Sequence, residues 1–153
     1  MKCLVAYFSA SGNTKKIGEL MSQKLGCDSY EIKPVNPYTY ADLNWQNKKS
    51  RSSIEMADKT SRPSIINDNL DVSKYDTILI GFPIWWYTAP TIINTFLETY
   101  NFDDKKIVLW ATSGGSGLGK AKNDLSKSTK ALIIDGRIVN NSQALERFIN
   151  ELE

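Results

Sequence analysis

The hexapeptide Ser-Ala-Ser-Gly-Asn-Thr at residues 9–14 has the composition of a phosphate-binding loop. It lies between an apolar run, residues 3–8, and an amphipathic segment that begins near Asn13. Three hydroxyl groups and a glycine therefore fall where a strand leads into a helix, and the free N–H groups and positive dipole end of a helix favour an anion there. The same residues could instead serve only as helix caps, so further segments must decide.

A second segment, residues 81–90, places three consecutive aromatic residues between two prolines after another apolar run. Trp85, Trp86 and Tyr87 are hard to bury together in one turn. Ligands of open α/β sheets bind outside the carboxyl ends of the strands, so this loop could stack against a flat aromatic ligand. The alternative is a packing corner or an oligomer interface.

A third segment, residues 112–120, reads Thr-Ser-Gly-Gly-Ser-Gly-Leu-Gly-Lys, and its lack of side-chain bulk indicates close backbone approach to another group. Residues 114–120 fit the beginning of the nucleoside-triphosphate motif G-x-x-x-x-G-K-[ST]. Ala121 then occupies the place of the magnesium-binding hydroxyl, which argues against a triphosphatase. The segment also departs from the dinucleotide pattern G-x-G-x-x-G.

The chain has 153 residues, and its 19 basic and 17 acidic residues give a formal net charge of +2. This length predicts a single domain over residues 1–153. The charge is not the excess typical of nucleic-acid binding, and no apolar run approaches the roughly 20 residues of a membrane-spanning helix. We therefore expect no nucleic acid and no membrane as partners, and the cytoplasm as the location.

Histidine is absent from the chain, which excludes Ser-His and Cys-His nucleophile pairs and histidine metal sites, so we expect no metal. Cys3 and Cys27 lack metal spacing and a Cys-x-x-Cys motif, and we interpret them as buried or free thiols in a reducing compartment. The three loops contain no carboxylate, so we assign no residue as a catalytic acid or base. Any chemistry must rest on other groups or on a cofactor.

Short apolar runs alternate with segments of helical periodicity along the chain. The runs predict strands at residues 3–8, 29–32, 77–82, 107–111 and 131–134. Apolar side chains at helical spacing predict helices over residues 17–25, 92–97 and 145–152. This alternation predicts a parallel sheet with helices on both faces. In a sheet of order 2-1-3-4-5, the three loops become neighbours at the switch point, where one ligand could contact all of them.

Residues 34–74 form a polar stretch with three prolines, too long for an ordinary connection. Apolar side chains that could form a broken helical face are Tyr40, Leu43, Trp45, Ile54 and Met56. We expect Lys48, Lys49 and Arg51 to be solvated. The composition favours a crossover helix with loose ends over a functional lid.

At its three loops the chain resembles the flavodoxin family. Residues 9–14 match that family's hydroxyl-rich loop for the FMN phosphate, and residues 81–90 and 112–119 are similar to the two flavin-ring loops of short bacterial flavodoxin-like proteins. The strand order aligns over essentially the whole chain. The resemblance implies an α/β three-layer sandwich with a five-stranded parallel sheet of order 2-1-3-4-5, and FMN as a noncovalent cofactor.

The resemblance also implies which residues contact FMN. Those expected at the phosphate, through hydroxyl or backbone groups, are Ser9, Ala10, Ser11, Gly12, Asn13 and Thr14. Those expected beside the isoalloxazine ring, where one tryptophan stacks, are Pro83, Ile84, Trp85, Trp86 and Tyr87. Those expected at its pyrimidine side are Thr112, Ser113, Gly114, Gly115 and Gly117. Lys15 and Lys16 are expected to be solvated helix charges.

The function implied by the resemblance is electron transfer through FMN. The expected partner is a redox protein or a small-molecule electron donor or acceptor, and the expected oligomeric state is a monomer or a weak homodimer. An NAD(P)H-dependent quinone or nitro-compound reductase is the alternative, and a flavin-free partner-binding domain is a third interpretation. Electron-carrier flavodoxins are typically strongly acidic, whereas this chain is slightly basic, so their specific docking partners do not carry over.

Overall fold

A computed structural model of the protein describes residues 2–152. Its centre is a five-stranded sheet of order β2-β1-β3-β4-β5, in which all neighbouring strands run parallel. The strands are β1 (Cys3–Tyr7), β2 (Asp28–Glu31), β3 (Thr77–Pro83), β4 (Lys106–Thr112) and β5 (Leu132–Ile138). The fold class and strand order predicted from the sequence are confirmed. Met1 and Glu153, the ends of the expected domain, lie outside the described residues.

Helices pack on both faces of the sheet. They are α1 (Asn13–Leu25), α2 (Arg51–Ala57), α3 (Thr91–Thr99), α4 (Ala121–Leu125) and α5 (Ser142–Leu152), with single 3₁₀ turns at Ala41–Leu43 and Val72–Lys74. Within residues 2–152, no helix has both the length and the apolarity that crossing a membrane requires.

Alternation of side chains along the strands divides the core into two layers. Val5, Leu79 and Trp110 point to one face of the sheet, where α1 and α5 pack against them. Their strand neighbours, such as Leu4 and Ile80, point to the other face and contact α3 and α4. Both faces are therefore apolar, which is why the strands read as continuous hydrophobic runs in the sequence.

The last strand extends beyond the predicted run 131–134. Asp135 and Arg137 interrupt its apolar pattern, but β5 lies at the sheet edge, where such side chains reach water. The register also shifts, because Leu109 pairs with Asp135 whereas Trp110 pairs with Arg137. Gly136 is thus the extra residue of a β-bulge. A polar, bulged edge strand lacks the hydrophobic continuity on which the prediction depended.

The segment 34–74 joins β2 to β3 and returns alongside its own beginning. The Val35 N–H donates to the Ser64 carbonyl at 2.9 Å, and the Ile66 N–H donates to the Lys33 carbonyl at 2.8 Å. These bonds close the segment into a broad loop that includes α2. The proposed apolar face is not buried as a unit, since Tyr40 is largely exposed.

Arg51, expected to be solvated, instead fixes α2 to the protein. Its guanidinium carbon lies 3.8 Å from the centroid of the Tyr38 ring, and its Nε donates to Glu55 at 2.9 Å. Tyr38 in turn donates to the other oxygen of Glu55 at 2.5 Å. Burial of the ring and this bond to the carboxylate raise the pKa of Tyr38, so it remains a neutral donor.

The interpretation of the two cysteines as thiols, whether buried or free, is wrong for this structure. Cys3 and Cys27 form a disulfide across a sequence separation of 24 residues, with Cα atoms 5.5 Å apart. The pairing register explains their proximity, because Leu4 lies opposite Asp28 and the preceding residues therefore face each other. Sequence reasoning lacked this register and used only spacing motifs.

Candidate functional site

The loop between β1 and α1 is shaped by Gly12, the residue that precedes the helix. Gly12 has φ +97°, a left-handed conformation that suits glycine. Its N–H donates to the Ser9 hydroxyl oxygen at 3.1 Å, which closes the loop and leaves the Ser9 O–H free to donate to a ligand. Ser11, Gly12 and Asn13 are exposed, and the first amides of α1 have no partner within the helix.

Thr14 lies deeper than the other residues of this loop. It is buried, and its hydroxyl lies 2.8 Å from the hydroxyl of Thr112 at the end of β4. This bond connects the first helical turn to the start of the glycine-rich loop. The structure therefore gives the Thr14 hydroxyl a partner within the protein.

The aromatic loop contains a tight turn at Trp86 and Tyr87. Trp85 and Thr88 exchange both backbone hydrogen bonds, at 3.0 and 3.1 Å, and the two residues between them have φ +48° and +63°. Residues other than glycine, asparagine and aspartate seldom adopt this backbone conformation, which costs on the order of 1 kcal/mol or more per residue. The turn holds two large aromatic side chains outward, with Trp86 44% and Tyr87 71% exposed.

Trp85 differs from Trp86 in being fixed from two sides. Its ring meets Phe8 at a centroid distance of 5.7 Å and Tyr38 at 5.6 Å, both edge to face. Such contacts favour one orientation of the indole. Trp85 is thus a rigid, half-buried wall, whereas Trp86 projects into solvent.

The glycine-rich loop is held by a side chain that follows β5. The Asn140 Oδ1 accepts from the Ser113 N–H at 2.9 Å, and its Nδ2 donates to the Ser113 carbonyl at 2.9 Å. The Ser113 hydroxyl accepts from the N–H groups of Gly115 and Ser116 at 3.2 and 2.9 Å. The loop is therefore an ordered turn.

The aromatic and glycine-rich loops contact each other directly. The Lys120 N–H donates to the Tyr87 carbonyl at 3.0 Å, and Ile84 donates to the Thr112 carbonyl at 2.9 Å. Gly119 makes the first contact possible, because a Cβ on it would lie 2.1 Å from that same Tyr87 oxygen. The two loops consequently form one unit.

Two cavities lie side by side along these loops. One, of about 530 Å³, is lined from the hydroxyl-rich loop by Ser11 and Asn13. The other, of about 500 Å³, is lined by the three consecutive aromatic residues. Ile84, Ser113 and Gly114 line both cavities, so together they form one elongated groove.

Most of the sequence-predicted residues line this groove. They are Ser11, Asn13, Pro83, Ile84, Trp85, Trp86, Tyr87, Thr112, Ser113, Gly114 and Gly115. The remaining ones, which do not line either cavity, are Ser9, Ala10, Gly12, Thr14 and Gly117. Ser9 and Gly12 shape the hydroxyl-rich loop, as described above. The structure brings the three predicted loops together at one edge of the sheet.

Sequence reasoning missed several lining residues. They are Lys16, Ile17, Leu43, Trp45, Ser52, Ser116 and Asn140. Three of them come from the segment 34–74, which therefore forms a wall of the aromatic cavity in addition to crossing between strands. Leu43 and Trp45 were predicted only as parts of a broken helical face, and the composition favoured a crossover helix over a functional lid. Lys16, expected to be a solvated charge, is exposed and also lines the groove.

Ser52 lines the aromatic cavity and has an unpaired hydroxyl. The residue is 2% exposed, and within the described part of the chain its hydroxyl is the one buried side-chain polar atom without a hydrogen-bond partner. Leaving a buried hydroxyl unpaired costs roughly 1–3 kcal/mol.

Comparison with protein families assigns the chain. The sequence model of the flavodoxin family matches residues 2–153. The chain belongs to the flavodoxin family. The resemblance seen in its loops and strand order is thereby confirmed. A comparison of this chain with curated proteins found no match.

Solved structures of related proteins agree with this assignment. A candidate flavoprotein from Bacteroides eggerthii is 44% identical, with a TM-score of 0.90 over 98% of this chain and 96% of that chain. A candidate flavoprotein from Bacteroides uniformis is 40% identical, with a TM-score of 0.84 over 97% of both chains. A flavoprotein from Lactobacillus acidophilus, solved in complex with FMN, is 24% identical and has a TM-score of 0.72 over 97% of this chain and 98% of that chain.

Proposed function

We propose that this flavodoxin-family protein binds FMN in the elongated groove and transfers electrons through it. The observation that carries the proposal is the continuity of the groove, with a hydroxyl-rich loop at one end and tryptophans at the other. FMN has the matching chemistry, a phosphate at one end and a flat aromatic ring at the other. The Lactobacillus acidophilus relative solved with FMN supports the same cofactor.

The end of the groove at the hydroxyl-rich loop can bind an anion without requiring a buried cation. The exposed amides at the start of α1 and the hydroxyls of Ser9 and Ser11 offer donors, and the helix dipole adds a favourable field. Lys16 lines the same cavity and can add long-range attraction. We therefore place the FMN phosphate beside this loop.

The ring end fits a heteroaromatic group with polar edges. Trp85 and Trp86 supply aromatic surface, and the unpaired Ser52 hydroxyl supplies a hydrogen-bonding atom in an otherwise enclosed position. Among the described residues, none that lines either cavity carries a carboxylate. When bound, FMN supplies the redox chemistry, and these side chains bind and orient it. We propose that its electrons pass to or from a separate redox partner.

FMN titration of the apoprotein, monitored by flavin fluorescence, tests the cofactor assignment. Gly12→Asp should weaken binding by at least ten-fold, because its charge faces the phosphate, which carries about −1.5 to −2. The structure shows no heavy atom within 4 Å of a Cβ at Gly12, so steric crowding by the protein is not the cause.

Gly26→Asp is a matched control for this variant. Gly26 lies at the opposite end of α1, also has positive φ (+66°) and also has room for a Cβ. Both variants place an aspartate on a backbone with positive φ, while Gly26→Asp leaves the hydroxyl-rich loop untouched. Equal FMN affinity in the two variants would place the phosphate elsewhere, and a purified protein that neither carries nor binds flavin would refute the proposed function.

Ser52→Ala tests the ring end. In the protein without FMN, the change should leave stability unchanged or raise it slightly, because the removed hydroxyl has no partner. In the FMN complex, the same change should weaken binding by about 0.5–1.5 kcal/mol, the usual net value of one hydrogen bond. Calorimetric titration measures the affinity, and thermal unfolding of the apoprotein measures the stability.

A further inference from the structure

A third cavity, of about 150 Å³, lies behind the aromatic loop, and four of its lining side chains are basic. These are Lys59, Arg62, Lys120 and Lys127, facing a single carboxylate, Asp124. They come from three separate parts of the chain, the segment 34–74, the end of the glycine-rich loop and the residues after α4. The fold therefore gathers positive charge at one concave position.

Internal ion pairs neutralise only part of this charge. Lys59 lies 3.6 Å from Asp124, and Arg62 lies 3.0 Å from Glu98, outside the cavity. Asp124 has a second partner, because its carboxylate accepts a hydrogen bond from the Thr88 hydroxyl at 2.7 Å. Within residues 2–152, Lys120 and Lys127 have no carboxylate within 4 Å. The cavity thus retains two uncompensated cations.

The cationic cavity is continuous with an aromatic groove. Met56 and Trp86 line both the cavity and an adjacent groove of about 650 Å³, which Trp45 and Ala57 also line. Trp45 and Trp86 in turn line the cavity that we assign to the flavin ring. Trp86 therefore borders all three spaces, and the strained turn described above holds it in that position.

We propose that this composite site binds a small planar aromatic molecule that bears an oxyanion and exchanges electrons with FMN. The planar part lies in the groove between Trp45 and Trp86, and its sulfonate, phosphate or carboxylate lies beside Lys120 and Lys127. The inference rests on the proposed function for its electron exchange, whereas the binding site is independent of it. A quinone with an anionic substituent is the class of molecule that meets both requirements.

The electron exchange balances with water as the only further reactant. A quinone bound in the groove accepts two electrons and two protons and becomes the hydroquinone. Fully reduced FMN, an anion at neutral pH, would supply both electrons and one proton, and water would supply the second proton. The proposed site therefore needs only a protein whose flavin has been reduced beforehand, for example by light with a sacrificial donor.

Equilibrium binding separates the site from the activity. The probes are 1,4-naphthoquinone-2-sulfonate and the neutral 2-methyl-1,4-naphthoquinone, titrated calorimetrically into the oxidised protein as purified. We expect the sulfonate to bind more tightly and to weaken as NaCl is added. The double variant Lys120→Gln/Lys127→Gln should raise the Kd of the sulfonate about ten-fold and leave that of the neutral quinone within about two-fold.

The double variant Lys122→Gln/Lys130→Gln is the matched control. It removes the same charge from two exposed lysines that do not line the cavity or the groove. We expect it to change the Kd of the sulfonate by less than about two-fold. Equal affinity of the two probes, or equal weakening by the two double variants, would overturn the proposed site.

Stopped-flow oxidation of the photoreduced protein gives the second readout. The sulfonate should reoxidise the flavin at a lower half-saturating concentration than the neutral quinone, and the cavity variant should remove that advantage while leaving the maximal rate unchanged. Tight, lysine-dependent binding without flavin reoxidation would confirm the anion site and reject electron exchange. A protein without flavin would refute the proposed function, while the calorimetric comparison would still decide whether the site exists.

Discussion

The hydroxyls of Thr14 and Thr112 lie 2.8 Å apart in a buried hydrogen bond, although 98 residues separate them in the sequence. The bond joins the first turn of α1 to the end of β4. It therefore fixes the hydroxyl-rich loop relative to the glycine-rich loop, the two loops that we propose hold different regions of FMN. The chain itself cannot fix the two loops relative to each other, because they are distant in sequence.

Thr14→Val and Thr112→Val should each destabilise the protein by about 1–3 kcal/mol, because each leaves a buried hydroxyl unpaired. The double variant should lose less than the sum of the two, since neither polar group remains. Urea unfolding of the four proteins measures the coupling energy. Strictly additive losses would show that the two hydroxyls do not interact in solution.

Trp85→Ala and Trp86→Ala should have different effects because their rings have different surroundings. Trp85 packs against Phe8 and Tyr38, so its loss should lower the stability of the apoprotein by about 3 kcal/mol. Trp86 is 44% exposed, so its loss should cost little apoprotein stability but weaken FMN binding by about 1–3 kcal/mol. Thermal unfolding and FMN titration separate the two effects. The opposite ranking in both measurements would exchange the roles of the two tryptophans.

Replacing Trp86-Tyr87 by Asn-Gly should stabilise the apoprotein by about 1–2 kcal/mol. These residues adopt positive φ readily, and the tight turn between Trp85 and Thr88 is otherwise preserved. FMN affinity should fall in the same variant because the aromatic surface is lost. A loss of stability would mean that packing of the two exposed rings outweighs the backbone strain.

Gly119→Ala should separate the aromatic loop from the glycine-rich loop. Its Cβ would lie 2.1 Å from the Tyr87 carbonyl oxygen, so one of the loops must move. We expect a loss of stability of about 1–3 kcal/mol, together with weaker FMN binding. Gly117→Ala in the same loop is the control, since no atom lies within 4 Å of a Cβ there. Unfolding midpoints that fall equally in both variants would argue against the contact.

Reduction of the Cys3–Cys27 disulfide should lower the free energy of unfolding by about 3 kcal/mol, the value expected for a closed loop of this length. Urea unfolding with and without dithiothreitol measures the difference, and the Cys3→Ser/Cys27→Ser variant should be insensitive to the reductant. Two titratable thiols in the native protein prepared without reductant would contradict the bond.

The sheet and the position of the site could be predicted from sequence because both follow from hydrophobic patterning. Runs such as residues 77–82 are apolar on both faces, and parallel strands leave their loops at one edge. The hydroxyl-rich and glycine-rich segments then identified the loops by composition. These features are local in sequence, whereas FMN and its contact residues were implied by the resemblance to the flavodoxin family.

The missed parts of the site depend on tertiary contacts. Ser52 belongs to no recognisable motif in its polar segment, and only the position of α2 buries its hydroxyl. Asn140 reaches Ser113 from beyond the end of the neighbouring strand β5, with no motif to indicate it. The turn at Trp86 and Tyr87 contradicts the usual residue preferences, so propensity could not predict it.

The bulge at Gly136 affects whether a strand of another chain can pair with this edge of the sheet. β5 is an outer strand, and an unpaired strand edge is a template on which another chain can add. The extra residue disturbs the even spacing of backbone donors and acceptors, and Asp135 and Arg137 flank it with charges. An incoming strand would lose register after a few residues, so the edge resists fibre-like growth.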